Sequence, residues 1–394
     1  MLFGSLLKNT VFSLLGNDGN PFSIMGFMHP TNAEGKYVIE SEGIRLAFIK
    51  KGGALANLWI NDTNCRELDI VLGYDNSTQY DSYQGFPVLN GAIGRYAGVI
   101  GNGEYQLNGD THHPSKNHRD GQSTIHGGDK GWGNVLVHPG ARTKNSITFV
   151  VFDRGIDGFP GRAAASLTHT VLPYEWRISF GVTPLVKEYP ISLSQQVFWT
   201  LNGLSGAPDH ALHLPYGGMR LEQNGNGVPT GNIVGNKRGS SLDFWSGPRK
   251  PSETLDDTFL INRRGAWEMN TAPVASLSSN DSGINVDLYT NQDALHVVTW
   301  DDDSGMIQDL KLRVHYNVSK TNVNPLGQVK RKKSQGEGPV PPHAAISLQM
   351  QDWTDAINHP EWQREDKVIW GPDRLYTMYS TYKFSVTRDQ EKCS

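Results

Sequence analysis

Cysteine is almost absent from this chain: Cys65 and Cys393 are the only two in 394 residues, far apart in the sequence. They could pair only if distant parts of the fold meet, and they make neither a disulfide framework nor a zinc motif. No apolar run approaches the roughly 20 residues that a membrane-spanning helix needs, so no membrane partner is expected. Charge of one sign is also missing: 36 Lys and Arg stand against 40 Asp and Glu, for a net charge of −4, which argues against a nucleic-acid surface. The single basic run, Lys330-Arg331-Lys332-Lys333, sits in a Gly/Pro/Ser-rich stretch and reads as a solvated loop tip. Met1-Leu2-Phe3-Gly4-Ser5-Leu6-Leu7 is apolar, but Lys8 and Asn9 interrupt it before Val11, and a secretory signal needs a continuous apolar core with a cleavage site. The sequons at Asn61, Asn76, Asn280 and Asn317 pull the other way, yet they arise easily by chance in such a chain. The balance favours an intracellular protein. Finally, no segment sustains a helical period for more than about a dozen residues.

Strand signals are abundant instead. Tyr37-Val38-Ile39, Ile44–Ile49, Ile147–Phe152, Ala164–Leu172, Trp176–Val182, Leu295–Trp300, Leu310–Val318, Ala345–Met350 and Tyr382–Val386 are short and rich in β-branched or aromatic residues. In Arg177-Ile178-Ser179-Phe180-Gly181-Val182 the apolar residues fall on one face. The 43 glycines and 21 prolines supply the many turns that such strands require. The class implied is all-β, with packed antiparallel sheets. Residues 322–342 carry no apolar pattern and read as a mobile loop, and no internal repeat is present.

The stretch Ser123-Thr124-Ile125-His126-Gly127-Gly128-Asp129-Lys130-Gly131-Trp132-Gly133 is the most distinctive in the chain. Glycine lets the backbone turn sharply and approach a ligand, and a neutral imidazole offers one donor and one acceptor to a hydroxylated molecule. On residues alone His126 suits a structural turn equally well. Earlier lie Gly94-Arg95-Tyr96-Ala97-Gly98 and Asn102-Gly103-Glu104-Tyr105-Gln106-Leu107-Asn108-Gly109. This succession resembles the aldose 1-epimerase (galactose mutarotase) family. The resemblance implies a single large antiparallel β-sandwich, a galactose mutarotase-like supersandwich, over residues 21–394. Residues 1–20 would form a separate N-terminal segment. It also implies a sugar site on a concave sheet, with a histidine acid and a glutamate base opening and closing a hemiacetal.

Under that resemblance Arg95 matches the family's substrate-binding arginine and His126 its substrate-binding histidine. After Arg95 the family usually continues Ala-Asn-Arg, whereas this chain has Ala97-Gly98-Val99, so two polar side chains are gone. Ser192-Leu193-Ser194-Gln195-Gln196-Val197-Phe198-Trp199-Thr200-Leu201 matches a stretch that typically reads Asn-Leu-Thr-Asn-His followed by an aromatic pair. Gln196 therefore stands where the acid histidine is expected, and Phe198 and Trp199 are expected at the pocket. Pro229-Thr230-Gly231 matches a family signature. In Leu255-Asp256-Asp257-Thr258-Phe259-Leu260-Ile261, Asp256 takes the substrate-binding aspartate position and Asp257 replaces the customary histidine. Without the family, the two acids suit a turn cap. In an extended segment they face opposite ways. In Ile346-Ser347-Leu348-Gln349-Met350-Gln351-Asp352, Gln349 replaces the catalytic base, and Gln349 and Gln351 are expected on one face with Met350 and Asp352 on the other.

Glutamine keeps the hydrogen-bonding shape of the residues it replaces but does not titrate. General acid and base groups are typically worth roughly 10²–10⁴-fold each, so ordinary mutarotation is expected to be slow. Three readings follow: a diverged isomerase or cyclase for a small, oxygenated, partly apolar molecule; an aldose 1-epimerase with acid and base relocated, His126 and an unplaced carboxylate being candidates; or a non-catalytic carbohydrate-binding protein. The first is preferred, with Gln196, Gln349 and His126 as its working residues. Arg95, Asp256, Phe198 and Trp199 would be its binding residues. No metal and no cofactor is expected. The ligand is expected to be a sugar or a sugar-like, pyran-type molecule.

Overall fold

The computed structural model describes residues 29–81, 88–118, 120–205, 208–252, 254–263, 265, 269, 271–300, 332–336 and 340–387. The N-terminal segment 1–20, the expected strand Leu310–Val318 and most of the expected loop lie outside these residues. Three antiparallel sheets carry the architecture.

The largest has eight strands, in the order His138–Arg142, Ser146–Asp153, Ala163–Leu172, Glu175–Pro184, Tyr376–Val386, Ile284–Thr290, Ala275–Ser279 and His210–His213. Alternation explains why it packs on one side. In Ser146–Asp153 every second residue is buried, and Ile147, Phe149 and Val151 enter the core. A four-stranded sheet of Tyr37–Ser41, Ile44–Phe48, Leu55–Asn61 and Glu67–Asp69 adds Ile39, Leu46, Phe48, Leu55 and Leu58 to the same apolar cluster. The third sheet has six strands, ordered Phe198–Trp199, Ile346–Gln351, Ala294–Thr299, Asp256–Leu260, Met219–Gln223 and Pro229–Gly235. Its contribution to the core is Trp199, Ile346, Leu348, Met350, Leu295, Val297 and Phe259. The fold is the all-β, antiparallel one that the sequence pattern implies; among the described residues the one α-helix is the single turn Glu365–Val368.

One expectation changes on contact with the structure. Lys332, read as part of a solvated basic tip, is only 1% exposed. Its Nζ donates to Ala56 O at 2.8 Å and pairs with Asp69 at 2.5 Å. Gln335 is buried beside it and donates to Asp69 O and Val71 O. Lys332 departs from the expectation because one lysine in a charged cluster turns inward where a buried carboxylate can pair with it, while Lys333 is exposed. Cys65, whose pairing the sequence left open, is held in a disulfide. Cys393, the other cysteine of the chain, lies outside the described residues.

Asp69 sits in a buried charge network. Lys36 Nζ donates to Asn57 Oδ1 at 2.6 Å and Tyr74 O at 2.9 Å, and Asn57 Nδ2 donates to Asp69 Oδ2 at 2.6 Å. Lys332 thus pairs with Asp69 directly, and Lys36 is joined to it through Asn57. Burial first, and the Lys332 charge second, lower the pKa of Lys36 to about 8. Between that value and the ordinary lysine range, the unfolded chain keeps a proton that the folded chain has released. The contribution of Lys36 to stability therefore rises with pH across that window and is flat below it. Urea midpoints of the wild type and Lys36→Met at pH 7 and pH 9.5 check this. The wild type should gain on the variant at the higher pH; an unchanged difference between the two pH values would contradict it.

Candidate functional site

One face of the six-stranded sheet is core, and the other gathers several of the candidate polar residues. The register sets His296 opposite Gln349, Val298 opposite Ser347 and Ala294 opposite Gln351. On the other side of that strand, Asp256 lies opposite Val298 and Thr258 opposite His296. Phe198 lies opposite Ser347. Directly opposed residues in an antiparallel pair share a face. Phe198, Ser347, Gln349, Gln351, His296, Thr258 and Asp256 therefore lie together, opposite the face that buries Leu348, Met350 and Val297.

Gln349 is 1% exposed. Its Nε2 reaches Ser347 Oγ at 3.5 Å, while its Oε1 is buried without a hydrogen-bond partner. Gln351 donates to Thr354 Oγ1 at 2.9 Å and likewise leaves a buried Oε1 unpaired. Buried polar atoms are seldom left unmatched, and these two amide oxygens on one face can each accept a further donor. Asp352 turns away as expected, pairing with Arg364. Asp257 also faces the other way, toward Arg220 at 3.7 Å.

Gln196 comes to this region along a different route. Its backbone N–H donates to Gly91 O at 3.2 Å, and the preceding strand Ser194–Gln195 pairs with Ala92–Ile93. Neighbouring Asn90 sets the local geometry. It donates to Leu55 O and Leu72 O, accepts the Phe198 N–H at 2.8 Å, and its carbonyl accepts Gln195 Nε2 at 2.6 Å. With Gln195 tied to Asn90, alternation sends Gln196 the other way.

His126 stands in a tight turn with φ of 53°. Its N–H donates to Gly98 O at 3.0 Å, and its Nδ1 accepts the Gly98 N–H at 3.1 Å. A neutral imidazole that accepts at Nδ1 carries its proton on Nε2, so this ring is set as a donor. Gly98 fills the place where a polar side chain is usual in the family. A Cβ there would meet Thr354 Oγ1 at 2.7 Å and Gln351 Nε2 at 3.1 Å. Glycine at 98 lets this segment lie close against Thr354 and Gln351. Below Thr354, Asp355 accepts the Gly101 N–H at 3.0 Å and Asn358 Nδ2 at 2.9 Å, and burial pushes its carboxyl up to about 6 against these contacts.

Arg95 is placed differently from the other candidates. It is 1% exposed, with Nη2 2.7 Å and Nε 3.0 Å from the Asp153 carboxylate. Further N–H groups donate to Pro160 O and to Gly161 O at 3.4 Å, and the guanidinium lies 4.6 Å from the Tyr189 ring centroid. Four of its five N–H groups are spent inside the protein, and Trp132 Nε1 donates to the same carboxylate at 2.8 Å. This is the geometry of a brace under the Gly94–Gly98 segment. Trp199 is a correction to expectation: it packs in the core against Tyr382 and Phe384. Alternation puts the two members of the aromatic pair on opposite faces: Phe198 shares the face of Ser347, 3% exposed in a second apolar cluster and edge-on to Trp300 at 5.4 Å. Sequence reasoning missed His296. Its place in the strand Ala294–Thr299, in step with the polar face, was the available signal. Among the described residues no group of three or more His, Cys, Asp or Glu could hold a metal.

At the other end of the strand Asp256–Leu260, Leu260 and Met219 line a cavity of about 470 Å³ with Ile233, Trp353 and Arg364.

The sequence model of the aldose 1-epimerase family matches residues 35–383. The chain belongs to the aldose 1-epimerase family. Among curated relatives it is 45% identical to the "Epimerase FSL3" of Gibberella zeae, over 94% of this chain and 89% of that protein. It is 26% identical to the galactose mutarotase of Bos taurus, over 89% and 94% of the two chains. Among solved structures, the aldose epimerase homologue from C. elegans superposes with a TM-score of 0.73 at 21% identity, covering 90% of this chain and all of that one. A galactose 1-epimerase from Lactobacillus acidophilus gives 0.66 at 16% identity, covering 90% and 95%. These last two show the shared fold, a galactose mutarotase-like antiparallel architecture.

The orphaned Gln349 Oε1 yields a prediction that needs no substrate. Leaving a buried acceptor unpaired costs about 1–3 kcal/mol, and methionine matches glutamine closely in size. Gln349→Met should therefore raise the stability of the ligand-free protein by about 1 kcal/mol in urea titration. A loss of stability of that size or more would show that the amide serves the fold.

Proposed function

We propose that this chain is an isomerase of the aldose 1-epimerase type that has moved away from simple sugars. Its ligand is a small, oxygenated, partly apolar molecule with a cyclic hemiacetal or pyran-type ring. The pocket positions that ring through hydrogen bonds from Gln196, Gln349 and the Nε2–H of His126, with Phe198 giving an apolar wall. Asp256 completes the polar rim, and Arg95 acts beneath it as a positioning residue. One apolar cluster running through all three sheets supports taking the chain from residue 21 onward as one unit.

The observation that carries this reading is the pair of amides at the two positions where the family resemblance expects an acid and a base. They keep the shape of the site, and one presents a buried, unpaired oxygen to it. Fixed dipoles of that kind position a reacting group and stabilise developing charge without titrating. The 45% identity to a protein named as an epimerase supports isomerase chemistry over mere binding. The glycine at position 98 and the phenyl ring of Phe198 make the face less polar than a free monosaccharide favours.

Polarimetry on two sugars tests the proposal. D-Galactose presents hydroxyls all round. 2,3,4,6-Tetra-O-methyl-D-glucose keeps the hemiacetal but masks every other hydroxyl. Galactose mutarotation should stay near the uncatalysed rate at micromolar protein, while the methylated sugar should be accelerated at least about tenfold more, as expected if desolvating unmatched hydroxyls is costly. Enzyme-like turnover of galactose would overturn the departure from simple sugars.

A further inference from the structure

With both glutamines unable to titrate, proton transfer must come from elsewhere on the ligand face. Apart from His126, whose Nδ1 is committed to Gly98, the face carries one titrating pair among the described residues. His296 Nε2 lies 3.1 Å from Asp256 Oδ1, and His296 Nδ1 lies 3.0 Å from Thr258 Oγ1. In the neutral ring these contacts are satisfied together when Nε2–H donates to the carboxylate and Nδ1 accepts the threonine hydroxyl. The Thr258 hydroxyl continues to Thr354 Oγ1 at 3.3 Å, which accepts Gln351 Nε2. The imidazole is therefore oriented from both edges. The His296 side chain is 16% exposed and that of Asp256 is 44% exposed, so the carboxylate is the member that reaches outward.

Position matters as much as pairing. His296 is the direct cross-strand neighbour of Gln349, so the pair borders the position that the family resemblance assigns to the base. Among the described residues, Asp257 acts electrostatically on both members of the pair although its side chain lies on the other face. The strand Ile346–Gln351 presents to His296 only the neutral Ser347, Gln349 and Gln351. On the strand Asp256–Leu260, Asp257 points to the opposite face and Arg220. In the turn beyond, Asp355 is tied to the Gly101 N–H.

We propose that Asp256 and His296 form the proton-handling pair of this site, in place of the acid and base that Gln196 and Gln349 cannot supply. This rests on the hemiacetal chemistry proposed above. In ring opening, the Asp256 carboxylate takes the proton of the anomeric hydroxyl. The O–H electrons form the carbonyl, the ring C–O bond breaks, and its electron pair goes to the ring oxygen, which takes a proton from water. The pair returns its own proton to solvent, so none is consumed. His296 holds the carboxylate in place, itself fixed at Nδ1 by the Thr258 hydroxyl.

The test is the kinetics of tetra-O-methylglucose mutarotation by wild type, His296→Gln and Asp256→Asn, each first shown by circular dichroism to be folded. His296→Gln should lower kcat about 10²-fold with KM within a few-fold. Asp256→Asn should lose as much, and the double variant little more, because the two act as one unit. A His296→Gln protein that keeps the wild-type kcat would overturn the pair while leaving the proposed reaction intact. A wild type that accelerates neither sugar would overturn the reaction class and the pair's role in it together.

Discussion

Side chains on a strand alternate between two faces, and in the six-stranded sheet that alternation is locked because one face is buried in the core. Leu348 and Met350 cannot leave the apolar cluster without moving Gln349 and Gln351 with them, and the same holds for Leu295 and Val297 on either side of His296. The placement of every polar group on the ligand face follows from the burial of its apolar neighbours. A slip of one residue would move two glutamines into the apolar cluster and set two large apolar side chains among polar groups, which costs several kcal/mol. Precision at the site is a by-product of core packing.

Around that sheet, buried polar ties fix the segments that have no sheet of their own. Asn90 joins Leu55, Leu72, Gln195 and Phe198, linking the four-stranded sheet to the edge that carries Gln196. The Asp153 carboxylate holds both Arg95 and Trp132, and so fastens the Gly94–Gly98 segment beneath the His126 turn. The Asp69 network closes the far side with two buried lysines. Each tie makes a loop residue as well determined as a strand residue, which is what a binding surface built partly from loops needs.

Much of this was legible in the sequence, for a physical reason. Period-two patterns in stretches such as Arg177–Val182 report burial directly, and the opposed facing of Asp256 and Asp257 follows from extended geometry alone. Gln349 and Gln351 on one face were legible in the same way. Other features depend on contacts between residues far apart in sequence, and these were not. Nothing near Arg95 shows that Asp153, 58 residues on, would take up its guanidinium. Nothing in a run of basic residues marks Lys332 as the partner of Asp69. Trp199 and Phe198 look alike until the register shows which of them faces the core. His296 is the most instructive case: a histidine in an apolar strand reads as filler until the cross-strand neighbours Thr258 and Gln349 are known.

The site therefore combines a family scaffold with changed chemistry: amides where acid and base are expected, a turn histidine set as a donor, and an Asp256–His296 pair beside them. Its central claim is spatial, namely that the polar face of the six-stranded sheet is where the ligand sits. A crystal structure with 2,3,4,6-tetra-O-methyl-D-glucose tests that claim most directly. The account predicts the sugar over this face, with Gln349 and Gln196 within hydrogen-bond distance of its oxygens and Phe198 against its ring. The sugar bound instead in the cavity of Leu260, Met219 and Trp353, with the glutamine face left to water, would contradict it.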